Sequence, residues 1–220
     1  SLQVLERQSR KTEATHTLHP FVCNSVKQVE RLSGLVTDLL DLTNIQAGKL
    51  VLKPTTFKLN ELIENVTEES RMLYMQELIL EHVPVAWVHA DFNRVRQVLD
   101  NLISNAAKYA PAESRIVISM TFQDRDVQVN VRDFGPGIPE AKAPYIFDRF
   151  YRVKEAENVA QGLGLGLFIC REIINNHHGK IGLHSGEGQG STFWFTLPLS
   201  AQTAGEPDGF EVAIASGQPV

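Results

Sequence analysis

Three short runs in a fixed order constrain this chain more than anything else in it: Asn101-Leu-Ile-Ser-Asn105-Ala-Ala-Lys108-Tyr109, Asp133-Phe-Gly135-Pro-Gly137, and Gly162-Leu-Gly164-Leu-Gly166-Leu. The first sets two carboxamides four residues apart, with a cation and an aromatic ring just beyond. The second puts a carboxylate beside paired glycines, and the third opens an apolar helix with glycines. A metal ligand, a phosphate cation, a base reader and a phosphate cradle are what a Mg-nucleotide site requires. Each run alone is a weak signal. Their order and spacing together point to nucleotide binding.

The chemistry follows from residue type and spacing. At i and i+4 on one helix, Asn101 and Asn105 share a face, with Lys108 and Tyr109 a turn further along. Magnesium takes hard oxygen ligands and fills its sphere with phosphate oxygens, water and one or two protein groups. The same asparagines could simply solvate a helix face, although asparagine competes for backbone hydrogen bonds and is poorly favoured there. A carboxylate only accepts, so Asp133 suits an exocyclic amino group such as adenine N6; a plain Asp-Gly turn is the alternative. The glycines Gly135 and Gly137 let backbone approach a flat base. Gly162 to Leu167 would present helix N–H groups to an anion. That segment is neither a P-loop nor a dinucleotide fingerprint, since no Gly-Lys-Ser/Thr and no sixth-position glycine follow. Arg149, Arg152 and Lys154 stand ready for a terminal phosphate, or form a solvated basic patch.

Around these runs the chain divides in three. Residues 1–53 are helical in pattern: a short helix, a loop holding His16 and His19, then a long helix from about Pro20 to Ala47 with Gly48 as its stop. Its stripe of Val22, Val26, Val29, Leu32, Leu35, Val36, Leu39, Leu40 and Leu42 suits a helical bundle that a partner chain completes. Residues 54–199 alternate helix and strand. Helices are expected at Leu59–Glu77, Asp91–Tyr109 and Leu163–His178, the second with Asp91 as N-cap. Strands are expected at Leu78–His82, Val85–Val88, Arg115–Phe122, Asp126–Arg132, Ile181–His184 and Ser191–Leu197. Adjacent strand pairs with three helices argue for an α+β, two-layer sandwich with helices on one face. Residues 200–220 are polar and Gly/Pro-rich, the composition of a disordered tail.

Composition excludes several classes. A net charge of −5 gives no basic footprint for nucleic acid. No apolar run reaches membrane-span length, so the expected setting is cytoplasmic, with anchoring left to a longer parent protein. The start at Ser1 rather than Met reads as a cut piece of such a parent. Cys23 and Cys170 lie in apolar helical patterns and read as buried thiols, and Trp87 and Trp194 read as core. The histidines carry no metal-binding spacing.

Over about residues 20–199 the chain resembles the catalytic ATP-binding domain of bacterial sensor histidine kinases, in the superfamily that includes gyrase, Hsp90 and MutL. The runs at 101–109, 133–137 and 162–167 look like that family's N, G1 and G2 boxes. Ile146-Phe147-Asp-Arg149-Phe150-Tyr-Arg152 looks like its F box, and Gly188-Gln-Gly190-Ser191-Thr192 like its last glycine box. Residues 29–42 look like the second helix of the dimerisation and phosphotransfer hairpin. The resemblance implies a Bergerat-type fold with a mixed sheet, ATP and Mg²⁺ as cofactors, a homodimer through the hairpin and a response-regulator receiver domain as partner. It implies that Asn105, helped by Asn101, holds Mg²⁺, and that Lys108, Arg149 and Arg152 neutralise phosphate charge. It implies ATP contacts from Tyr109, Asp133, Gly135, Gly137, Ile138, Phe147, Gly162, Leu163, Gly164, Leu165, Gly166 and Leu167. Thr192 would support Asp133 through a water, and residues 148–163 would form a lid ordered by ATP.

Two departures stand out. Leu163 occupies a position where small or polar residues are common, so only its backbone would contribute. The His-Glu-Leu-Arg-Thr-Pro-like acceptor segment does not occur, and neither His16 nor His19 matches it. The resemblance places that acceptor about a dozen residues before Ser1, roughly three helical turns. At Asn101 the ATPase branch carries a glutamate that activates water, which a carboxamide cannot replace. The expectation is a kinase fragment that binds Mg-ATP without phosphorylating itself. The alternatives are a non-catalytic nucleotide-binding docking module and a machine-like ATPase.

Overall fold

The computed structural model describes residues 19–152 and 163–201. The short first helix, most of the expected lid, Gly162 and the tail from 202 lie outside the described residues. Helix α1 spans His19–Gln46, so His19 begins the helix instead of sitting in the preceding loop. Its end is set by Gly48 at φ +63°, where the Gly48 N–H donates to Ile45 and the Lys49 N–H to Asn44. That is a Schellman closure, which needs a residue tolerant of the left-handed region. The apolar stripe of α1 splits. Leu42 is buried against the rest of the chain, whereas Leu32 and Leu40 remain 60% and 59% exposed.

The remainder is an α+β sandwich. Strand β1 (Thr55–Lys58) pairs antiparallel with β3 (Trp87–Ala90) in a small sheet. The main sheet holds β2 (Glu77–Glu81), β4 (Arg115–Gln123), β5 (Asp126–Asp133), β6 (Ile181–Ser185) and β7 (Ser191–Pro198), in the order β2-β4-β5-β7-β6. Only β2 with β4 is parallel, so the sheet is mixed. Helices α2 (Leu59–Arg71), α3 (Phe92–Tyr109) and α4 (Gly166–Asn176) pack on one face. The side-chain alternation explains why: Ile116, Ile118 and Met120 of β4, Val127, Val129 and Val131 of β5, and Phe193, Phe195 and Leu197 of β7 all point to the helices and are buried. Ser119, Thr121, Gln128 and Asn130 line the opposite face. There Gln128 donates to Asn130, and Asn130 to Ser119 across the strand pair.

Several expected boundaries move. Helix α2 stops at Arg71, six residues short, and the turn after it exposes Met72, Leu73 and Met75. Gln76 then plugs inward, donating to Ala107 O at 2.9 Å and Ala110 O at 3.1 Å. The expected Val85–Val88 strand lies two residues later and pairs with β1, a short polar strand that composition does not announce. Helix α4 starts at Gly166, because Gly164 at φ +71° cannot be helical. Trp87 and Trp194 are half-buried and not core: Lys58 lies over the first ring, and the second stacks on His184. Cys170 is buried as expected, while the Cys23 side chain lies outside the described residues.

Asp91 joins three parts of the fold. As N-cap of α3 its Oδ1 accepts from the N–H groups of Asn93 and Arg94, and its Oδ2 accepts from Lys53 N–H at 2.8 Å. Its own N–H donates to His177 Nε2 at 2.9 Å, and His177 Nδ1 donates to Ile173 O at 2.8 Å. Both ring nitrogens are thus committed in the neutral form, and burial holds the His177 pKa below its usual value.

Candidate functional site

Helix α3 has two working faces. Val95, Val98, Leu99, Leu102, Ile103 and Ala106 fill the core, leaving Asn101, Ser104, Asn105, Lys108 and Tyr109 on the other side. These five form one wall of a cleft of about 760 Å³. That volume lies within the range of small-molecule sites.

The floor is Asp133, only 4% exposed at the end of β5. Its Oδ1 accepts from Gly135 N–H at 2.9 Å and from Ser191 N–H at 3.3 Å. Burial raises the Asp133 pKa, and those two N–H groups partly oppose the rise. The glycines around it are there for close approach. A Cβ on Gly137 would lie 1.9 Å from Gly186 O, and one on Gly190 2.2 Å from Asp133 O. The two glycine segments are packed back to back and further tied by Ser185, which donates to Gly190 O and accepts from Ile138 N–H.

The far wall is the start of α4. A Cβ on Gly166 would lie 2.9 Å from Asn101 Oδ1, so the helix begins against the carboxamide. No side chain caps this helix, and its start, Leu165 to Leu167, lines the cleft; uncapped N–H groups at a helix start are the arrangement that receives anions. Asn101 also hydrogen-bonds the Cys170 thiol, which burial pushes up to about 12. Lys108 and Arg152 supply positive charge; burial, and then repulsion from Arg152, lower the Lys108 pKa.

Of the residues singled out from the sequence, Asn101, Asn105, Lys108, Tyr109, Asp133, Gly137, Ile138, Arg152 and Leu163 to Leu167 line the cleft. Gly162 lies outside the described residues. Gly135 acts from behind the wall, through its N–H to Asp133. Three placements differ. Arg149 does not line the cleft; its guanidinium stacks 5.7 Å over Phe168. Phe147 stands behind the floor, edge-on to Phe193 at 6.5 Å, and Phe193 makes the contact surface. Thr192 pairs with Arg132 and His184 on the open face of the sheet, while its neighbour Ser191 points inward, bonds Asp133 and lines the cleft.

The sequence reading also missed Ser104, Tyr151 and Lys142, and three residues from α1: Gly34, Leu35 and Asp38. Ser104 was recoverable, being three residues from Asn101 on the same face. The α1 residues were not, because only tertiary docking brings them to the cleft.

Among the described residues no helix is long and apolar enough to cross a membrane. Residues 90–201, just over half of the chain, match the family model described as histidine kinase-, DNA gyrase B-, and HSP90-like ATPase. Over 180 residues the chain is 37% identical to the adaptive-response sensory kinase SasA of Microcystis aeruginosa, covering 79% of this chain and 46% of that protein. The catalytic domain of the histidine kinase ThkA superposes with a TM-score of 0.58 at 37% identity, over 66% of this chain and 95% of that one. Full-length ShkA in complex with AMPPNP superposes with a TM-score of 0.72 at 25% identity, over 89% of this chain and 42% of that one. The chain spans about half the length of the curated relatives it matches. Fold, cleft and sequence agree: this chain belongs to the histidine kinase-, DNA gyrase B- and HSP90-like ATPase family.

Proposed function

We propose that this chain is the ATP-binding catalytic part of a sensor histidine kinase and that α1 is the second helix of its dimerising hairpin. One observation carries the reading. Two carboxamides, a lysine, a buried carboxylate and an uncapped helix start converge on a single cleft, in a chain 37% identical to a sensory kinase. Asp133 Oδ1 is held by two backbone N–H groups, which leaves Oδ2 to accept from the adenine amino group. Lys108, Arg152 and the first N–H groups of α4 receive the phosphates. The carboxamide oxygens of Asn101 and Asn105 fit Mg²⁺, a hard cation that takes few protein ligands and supplies charge neutralisation when bound.

Asn101 turns the site from hydrolysis toward transfer. A carboxamide takes no proton from water at neutral pH, whereas phosphoryl transfer needs mainly positioning and charge neutralisation. The acceptor in this reading is a histidine carried elsewhere in the protein, from which the group passes to a response-regulator aspartate. His177 is unsuitable, since it is buried with both nitrogens engaged. The exposed stripe of Leu32, Val36 and Leu40 is the surface on which a second copy docks.

The test is transfer in trans. The chain is incubated with γ-labelled ATP, Mg²⁺ and a separately prepared hairpin bearing the histidine. Acid-labile label on the hairpin, with little free phosphate, is the expected result. Nucleotide binding without transfer would make the chain a docking module, and steady phosphate release would make it an ATPase.

A further inference from the structure

The hairpin helix reaches into the nucleotide cleft. Gly34, Leu35 and Asp38 of α1 share its lining with Asn101, Ser104 and Asn105 of α3. A partly buried ion pair sets the register of the two helices. Asp41 is 4% exposed, and it accepts from Arg94 Nη1 at 2.7 Å and from Gln97 Nε2 at 2.8 Å. One turn back along α1 from Asp41 stands Asp38, and one turn forward along α3 from Gln97 stands Asn101. Another turn brings Gly34 and Ser104 into the same lining. The helices therefore run antiparallel, and Asp38 faces the carboxamide end of the cleft.

A carboxylate in this place needs a counter-charge. Burial, with the charge of Asp41 behind it, already raises the Asp38 pKa. Triphosphate oxygens brought to the same end would be repelled, unless a cation lies between. With two carboxamide oxygens across the cleft, Asp38 completes a set of hard oxygen donors of the kind a small divalent cation accepts alongside phosphate and water. Resting on the Mg-nucleotide reading above, we propose that Asp38, delivered by the docked hairpin helix, joins Asn101 and Asn105 in holding the divalent cation of the nucleotide. Cation binding and hairpin docking then strengthen one another, because coupling between two binding events is reciprocal. The Asp41–Arg94–Gln97 cluster is the latch that places Asp38 for this role.

The experiment titrates Mn²⁺ into the full chain with one equivalent of AMPPNP, takes Mn²⁺ with AMPPNP alone as the blank, and follows protein-bound Mn²⁺ by the enhancement of water proton relaxation. Asp38→Asn should weaken Mn²⁺ binding about tenfold, the low end for loss of a metal-site partner. Its affinity for adenosine should stay that of the wild type, which also reports that the variant is folded. Arg94→Met should lose Mn²⁺ affinity by a similar factor, and the double variant little more, since both changes remove one contact. Unchanged Mn²⁺ affinity in Asp38→Asn would overturn the proposal, as would tighter binding, the mark of a carboxylate that only repels phosphate. Asn105→Ala separates the two levels. Loss there with none in Asp38→Asn removes only the role of Asp38, while wild-type protein that fails to bind Mn²⁺ with AMPPNP removes the nucleotide reading and this inference together.

Discussion

Replacing Asp133 by asparagine should weaken ATP binding while leaving the fold as stable or more so. In the wild-type protein Oδ1 is held by the Gly135 and Ser191 N–H groups, so on the proposed reading Oδ2 is the oxygen left for the ligand. An asparagine oxygen can keep both backbone N–H groups, which forces its NH₂ into the place of Oδ2. A donor then meets the adenine amino group, also a donor. The lost charge-assisted hydrogen bond is worth about 1.5–3 kcal/mol, or roughly ten- to 150-fold in Kd. Stability should move the other way. Burial raises the Asp133 pKa, so the fold carries a penalty for its charged form at neutral pH, and asparagine removes it. The assay is paired: calorimetric titration with ATP and with a 6-oxo purine nucleotide, and a thermal melt of the ligand-free protein. ATP affinity should fall, discrimination against the 6-oxo purine should shrink, and Tm should hold or rise. Wild-type ATP affinity in Asp133→Asn, or equal losses for both nucleotides, would refute the assignment of Asp133 as the base reader.

Asp91→Ala should cost about 1–2 kcal/mol for the lost cap alone, and more because the Lys53 N–H loses its acceptor; a denaturant melt measures it. Gly190→Ala should be far more damaging than Gly188→Ala. Both residues have positive φ, a cost of about 1–2 kcal/mol for alanine, but only at Gly190 would the new Cβ strike Asp133 O, 2.2 Å away. Comparing their melts and ATP affinities separates backbone strain from collision. His177 should make stability fall with acid. Its folded pKa is depressed, so its contribution is complete above the unfolded value of about 6.5 and is lost as pH drops toward the folded one. Melts between pH 8 and pH 5 should show that decline, and His177→Phe should flatten it.

The parts of the fold legible in sequence are those where local chemistry and tertiary demand agree. Helix α3 has a capping aspartate, a clean apolar face and a polar face turned to the cleft, so both its extent and the residues it lends to the cleft lining could be read. Strands β4, β5 and β7 alternate plainly because one face is buried and the other is wet. That same alternation held the signal for Ser191 over Thr192: Phe193, Phe195 and Leu197 are the buried set, which puts Ser191 on the inward side. Strand β1 escaped notice because four residues beginning Thr-Thr carry no periodicity and are paired only through β3. Arg149 and Arg152 lie three apart in a loop, where spacing does not say which one turns inward. Asp38 was invisible for a deeper reason. On its own helix it is an ordinary polar position, and only the docking fixed by Asp41 and Arg94 makes it part of the site.

The most direct test of the central claim is calorimetric titration of the chain with AMPPNP, with Mg²⁺ and with a chelator present, for wild type and for Asn105→Ala. If the cleft is a Mg-nucleotide site, wild-type protein binds one AMPPNP with Mg²⁺, loses about tenfold or more without it, and Asn105→Ala loses affinity chiefly in the Mg²⁺ arm. Absence of binding, or binding indifferent to both Mg²⁺ and Asn105, would contradict the account.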